Sequence, residues 1–303
     1  VSAILFNALS FLIAIFLAYF LKKVGVLRQE DGERVSKVIM FVTLPATIII
    51  GVNGFKLSFS AWELIALGLL FNLFLVFLAY FLRRNKSLYE RNFLMYNISG
   101  YNLGNFAIPF VQSFLVTAIP YIAMFDIGNA IMVCGTTESI VEMSSKQIRY
   151  GFDIRDIFRN VLKSPPFISY LLMIFIALLN VRIPETILPP VHFLASANSF
   201  LSLFTIGLFM QINVNIKKLI SVGKILLIRY VGAVILAVLV YLFLPLPHLA
   251  RFCLVLILLT PMSFLNMISA THSGIEEGDA GFAISLSMIC SLVLMSGAVV
   301  LLN

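Results

Sequence analysis

The sequence predicts an all-α membrane protein: ten transmembrane helices forming two inverted five-helix repeats, with broken fourth and ninth helices crossing at mid-membrane. Three observations predict it. Uncharged apolar runs fill most of the chain, Lys and Arg alternate in density from one connection to the next, and two runs at corresponding places in the halves carry a proline beside asparagines.

The apolar runs set the class. With 61% hydrophobic and 12% charged residues and a mean hydropathy of +1.04, the 303-residue chain has more apolar surface than a soluble core can bury. Runs free of charge cover 1–21, 38–55, 64–82, 92–125, 164–181, 186–216, 230–250, 252–275 and 280–303, each near or above the length that crosses hydrocarbon. The run 1–21 lacks a basic lead-in and a small-residue cleavage site, so it reads as a spanning helix and not as a leader. The run 92–125 is too long for one helix and continues past Asp126 to about Thr137, so it divides near Pro120. Ten spans result: roughly 2–21, 36–53, 61–82, 92–115, 120–142, 164–180, 189–211, 220–243, 250–272 and 280–302.

Charge then orients them. Of the 21 Lys and Arg, all but Lys56, Arg182 and Arg251 follow or flank the turns after spans 1, 3, 5 and 7, with Lys224 and Arg229 assigned to the last of these. Cytoplasmic connections collect Lys and Arg, so these turns lie inside and both termini outside. The longest polar connection, 143–163, is then cytoplasmic and separates a first five-helix repeat, 1–142, from a second, 164–303. Because five is odd, the second set enters the membrane from the opposite side, which is the inverted-repeat plan of many secondary transporters. The net charge of +7 is explained by these clusters, and no nucleic-acid partner is expected.

Span 4 holds Asn97-Ile-Ser-Gly100-Tyr-Asn102-Leu-Gly104-Asn105-Phe-Ala-Ile-Pro109. Pro109 cannot donate to the Asn105 carbonyl, and Gly104 frees the backbone, so the helix is expected to unwind there. Span 9 holds the counterpart, Pro261-Met-Ser263-Phe-Leu-Asn266. Unwound backbone at that depth is tolerated where it lines a protein cavity. Two half-helix N-termini would point their positive ends into that cavity, favouring an anionic or carboxylate solute. Asn102, Gly104, Asn105, Pro109, Pro261, Ser263 and Asn266 are therefore the candidate solute-binding residues. Each break also has a plain reading, since Gly100-x-x-x-Gly104 is a helix-packing pattern and single prolines often only kink.

Asp126 lies between long apolar runs, about 9 Å inward from a helix start near Pro120. A carboxylate there must be protonated, paired or facing water. With Asn129 on the same face, it is the candidate proton relay or cation ligand, or else a structural hydrogen-bonding group. Glu138 and Glu142 read as a solvated helix end, His272 as interfacial, and Phe55, Phe59 and Trp62 as an aromatic belt. Cys134, Cys253 and Cys290 have no partner at metal-ligand spacing, so no metal site is expected, and the absence of a phosphate-binding loop argues against an ATP-driven pump.

Several of these motifs coincide with one family. Asn102-Leu-Gly104-Asn105-Phe-Ala-Ile-Pro109 is similar to the Asn-Thr-Gly-Phe-x-Gly-x-Pro signature of the auxin efflux carrier family, and Phe125-Asp126-Ile-Gly128-Asn129 to its Phe-Asp-x-Gly-Asn element. Phe41-Val-Thr-Leu-Pro45, Pro165-Pro166 and Ser285-Leu-Ser287-Met-Ile-Cys-Ser291 resemble further family segments, in order, over essentially the full length. Asn105 stands where the family usually has an aromatic or aliphatic residue, and Leu103 where it has Thr. The resemblance is to bacterial permeases related to plant auxin exporters. It implies a fold shared with bile-acid-type and sodium/proton carriers, with a moving core of spans 3–5 and 8–10, a scaffold of spans 1, 2, 6 and 7, and pairing as homodimers through the scaffold.

The expectation is a secondary transporter of the plasma (cell inner) membrane that moves a small organic anion by alternating access, with the lipid bilayer as its other partner. It is not expected to be an enzyme or to carry a cofactor beyond a coupling H+ or Na+. A sodium-coupled importer of the bile-acid type is the alternative. A membrane-embedded sensor or enzyme is a third reading, against which stands the absence of a His-Glu-x-x-His pair or a Gly-x-Ser-x-Gly elbow.

Overall fold

The structure is a computed structural model, and it describes residues 2–145, 154–210 and 216–302. Lys146 and Arg149, with the rest of 146–153 in the expected cytoplasmic connection, lie outside the described residues. The protein is 83% helix, with no strand among the described residues. Among the described residues, six helices are long and apolar enough to cross a membrane: Gln29–Val52, Phe59–Arg83, Val116–Ser145, Pro189–Phe209, Leu219–Phe243 and Glu277–Leu302. A seventh forms if Arg155–Leu162 and Pro165–Leu178, bent by 84°, count as one. Fewer than ten qualify partly because two expected spans are divided into short pieces. Leu88–Ile98 precedes one gap and Leu103–Ala107 with Ile108–Gln112 follows it; His248–Leu258 and Phe264–His272 flank the other. Ser2–Lys23 is the first helix.

The apolar residues explain the exterior. Phe16, Phe20, Phe74, Phe81, Leu227 and Phe243 are exposed, as expected where hydrocarbon replaces water as solvent. Ser2–Lys23 packs along Asn198–Phe209, and Lys22 caps the end of that helix by donating to Leu208 O at 2.7 Å. Leu44–Val52 packs on Pro165–Leu178 and Pro189–Ser196. Phe59–Arg83 lies along Ile119–Ile131 in the most extensive helix pairing among the described residues. That crossing depends on two glycines. A Cβ on Gly68 would meet the Phe125 carbonyl, and one on Gly128 the Ile65 carbonyl, so the two backbones touch where no side chain fits.

The prolines act differently from expectation. Leu103–Ala107 is a π turn closed by Ile108 N–H on Leu103 O, and it runs directly into Ile108–Gln112 with Pro109 in the first turn. Ile39–Thr43 is a second π turn ahead of Pro45. In each case the residue four before the proline sits inside the wider turn, which relieves the clash with the ring, and the closing bond comes from the residue before the proline. Pro109 and Gly104 therefore do not unwind the helix. The gap falls earlier, at 99–102, where Gly100 takes φ +74. Glu142 is more enclosed than expected of a solvated end: it is largely buried where Thr137–Ser145 packs on Leu88–Ile98, and it lines a polar cavity with Glu138, Asp156 and Lys163.

Candidate functional site

The two gaps meet. Tyr101 and Met262 form an antiparallel bridge, with Asn102 N–H donating to Pro261 O at 3.0 Å and Ser263 N–H to Gly100 O at 3.2 Å. Each break thus satisfies part of the other's exposed backbone, which apolar surroundings demand. Side chains finish the task. Asn72 accepts from Gly100 N–H at 2.6 Å, and Asn129 clasps Tyr101 from both sides, accepting from its N–H and donating to its O, each at 3.0 Å. Asn72 Nδ2 also donates to Asn129 Oδ1 at 3.2 Å. Asn266 donates to Ser99 O at 2.9 Å, and its amide leaves no room for a Cβ at Gly100.

The second half-helices begin at Leu103 and Phe264, and both beginnings open on one cavity of ≈ 250 Å³. Asn102, Gly104, Asn105 and Ser263 line it, as do Asp126 and Asn129. Pro109, Pro261 and Asn266 lie behind that lining: Pro109 O accepts from Ser199 at 3.0 Å, Pro261 holds the bridge, and Asn266 braces the first half-helix. The side-chain amides of Asn102 and Asn105 make no hydrogen bond to the protein among the described residues, so their donors and acceptors remain for a solute. Asp126 Oδ2 accepts from Tyr170 at 2.7 Å and Oδ1 from Asn129 at 2.9 Å. Among the described residues it is in no ion pair, and it is the one carboxylate in the lining. A second cavity of ≈ 460 Å³ adjoins, sharing Ser36, Phe209, Phe264 and Ile268, and reaches Gln29, Lys37 and Glu277. Phe209 and Phe264 stack at 4.9 Å between the two.

The opposite ends of the broken helices meet a residue that the charge count grouped with those flanking a turn. Arg229 belongs to the long helix Ile216–Phe243 and is 3% exposed. Its Nη1 donates to Asn97 O at 2.5 Å and Ile98 O at 3.1 Å, and its Nη2 to Thr260 O at 3.0 Å and Gly100 O at 3.4 Å. The Tyr101 ring lies 5.4 Å from the guanidinium. The signal available in the sequence was its position five residues beyond Lys224, roughly 7.5 Å further along a helix, inside an otherwise apolar segment. Asn72 had a comparable signal, as the one amide in the run 64–82.

A largely helical, apolar chain whose interrupted helices pair around an internal cavity is an integral multi-pass membrane protein of the transporter class. A family model described as membrane transport protein matches residues 3–299, nearly the whole chain. The chain therefore belongs to that family, the auxin efflux carriers, whose members are transporters of the permease type. No curated protein matches it.

Proposed function

We propose that this protein is a secondary carrier that moves a small organic anion of the carboxylate type across the plasma membrane by alternating access. The observation that carries the reading is the shared cavity at the starts of 103–112 and Phe264–His272, with Asn102 and Asn105 uncommitted beside it. Each helix start concentrates roughly half a positive charge and unpaired N–H groups, which suits a carboxylate. Asp126 faces the same cavity, so a proton on it would remove repulsion against an anionic guest. We assign it, with Asn129, to coupling.

Ten spans underlie this reading, as inverted repeats 1–142 and 164–303 joined by a cytoplasmic connection 143–163, with both termini outside. Spans 3–5 and 8–10 form the moving core and spans 1, 2, 6 and 7 the scaffold, through which two copies pair. Packing of Ser2–Lys23 and Gln29–Val52 on the helices within 165–209 is consistent with that scaffold. The wider cavity reaches Gln29, Lys37 and Glu277, at the end the basic clusters assign to the cytoplasm, so the conformation is inward-facing.

Thermal-shift measurement on the purified protein, with carboxylates, amino acids and indole acids compared against their neutral amides, tests the reading. Acids are expected to stabilise and amides not, and Asn102→Ala is expected to abolish the shift. Full stabilisation of Asn102→Ala by the same acid would remove that residue from the site; stabilisation by the amides alone would remove the anion.

A further inference from the structure

Arg229 has no function in the scheme above, yet it is among the most fully buried charges of the protein. It has four carbonyl partners and, among the described residues, no carboxylate within ion-pair distance. Those carbonyls come from both breaks: Asn97, Ile98 and Gly100 around the end of Leu88–Ile98, and Thr260 after His248–Leu258. The C-terminus of each half-helix carries roughly half a negative charge, so the two together amount to about one unit. Buried carbonyls converging from broken helices are the groups with which membrane proteins coordinate alkali cations. Here a planar fork of N–H donors, carried on a third helix, takes them instead.

We propose that the Arg229 guanidinium is the resident cation of the helix crossing: it holds the carbonyl cluster that an alkali ion would otherwise have to neutralise, so this carrier binds no Na+ there. The inference rests on the carrier reading for its consequence, which is coupling without sodium, but not for its geometry. The crossing is then polarised. Its negative side is closed permanently by Arg229, and its positive side stays open to the cavity lined by Asn102 and Ser263. As a positioning residue, Arg229 acts through the backbone of 97–100 and 260 and touches no solute, since it is not part of that cavity's lining.

The test reads stability of the full-length protein in detergent, which does not depend on knowing the solute. At constant ionic strength, NaCl, KCl and choline chloride are expected to give the same melting temperature for the native protein. Arg229→Ala is expected to melt lower and to recover part of the loss in millimolar guanidinium but not in choline. Arg229→Lys, which keeps a charge, is expected to lie between the native protein and Arg229→Met. A specific stabilisation of the native protein by Na+ overturns the proposal, as does an Arg229→Met protein as stable as the native one. If Arg229→Ala does not fold, the sodium titration and the Lys and Met pair decide the matter. Absence of flux for every anion tried, with these ion responses intact, would sink the carrier reading and leave the resident cation standing.

Discussion

Replacing Asn72 by Ala removes one side-chain support of the crossing, and its cost can be worked from the bonds lost. Gly100 N–H loses its acceptor at 2.6 Å, and Asn129 Oδ1 loses a donor at 3.2 Å. Asn72 is wholly buried, so water does not replace it. A buried donor left unsatisfied costs about 1–3 kcal/mol, and an interhelical hydrogen bond in a membrane protein averages about 0.6 kcal/mol. Together these predict a loss of about 2–4 kcal/mol. Reversible unfolding in mixed micelles on titration with sodium dodecyl sulfate measures it directly. Asn53 provides the control, since it makes a similar pair of bonds, to Ile183 O at 3.1 Å and from Ile183 N at 2.9 Å, in a partly exposed connection. Water can substitute there, so Asn53→Ala should cost less than about 1 kcal/mol. Asn72 and Asn129 hold consecutive residues, so the double substitution should depart from additivity by about 0.5 kcal/mol or more. A loss below about 0.5 kcal/mol for Asn72→Ala would refute the claim that side chains support the break.

Other expectations follow from the same geometry. Gly128→Ala drives a methyl into the Ile65 carbonyl and should cost several kcal/mol or abolish folding, whereas Gly223→Ala, with nothing within 4 Å, should be neutral or gain up to about 1 kcal/mol; relative yield and unfolding midpoints distinguish them. Asp126→Asn keeps a side chain of the same size beside Tyr170 and Asn129, so ligand-induced stabilisation should survive while proteoliposome flux stops responding to an imposed pH gradient. Flux that still follows the gradient would exclude Asp126 from coupling. Asn266→Ala frees the Ser99 carbonyl and should cost about 1–2 kcal/mol while reducing ligand-induced stabilisation less than Asn102→Ala does, because Asn266 braces the break from behind.

Hydropathy and charge are properties of segments, so the sequence alone determined what depends on segments: a helical membrane chain, the identity of its apolar runs, and two places where polar residues interrupt them. That Asn102, Asn105, Ser263 and Asp126 line a cavity was legible for the same reason, since they are polar where hydrocarbon forbids it without cause. Where the helix opens was not legible. Pro109 and Gly104 mark the region, but a π turn absorbs the proline, and the gap moves to Gly100, where bonds from Asn72 and Asn129 and the strand-like contact with Met262 compensate the backbone. Those partners lie 28 or more residues away along the chain, beyond any local pattern. Arg229 shows the limit most clearly. Counted along the chain it is one more basic residue near a turn; only the tertiary structure decides that four carbonyls from two other helices surround it. A charge is read as topology when water can reach it and as chemistry when only backbone can, and that difference is set by packing.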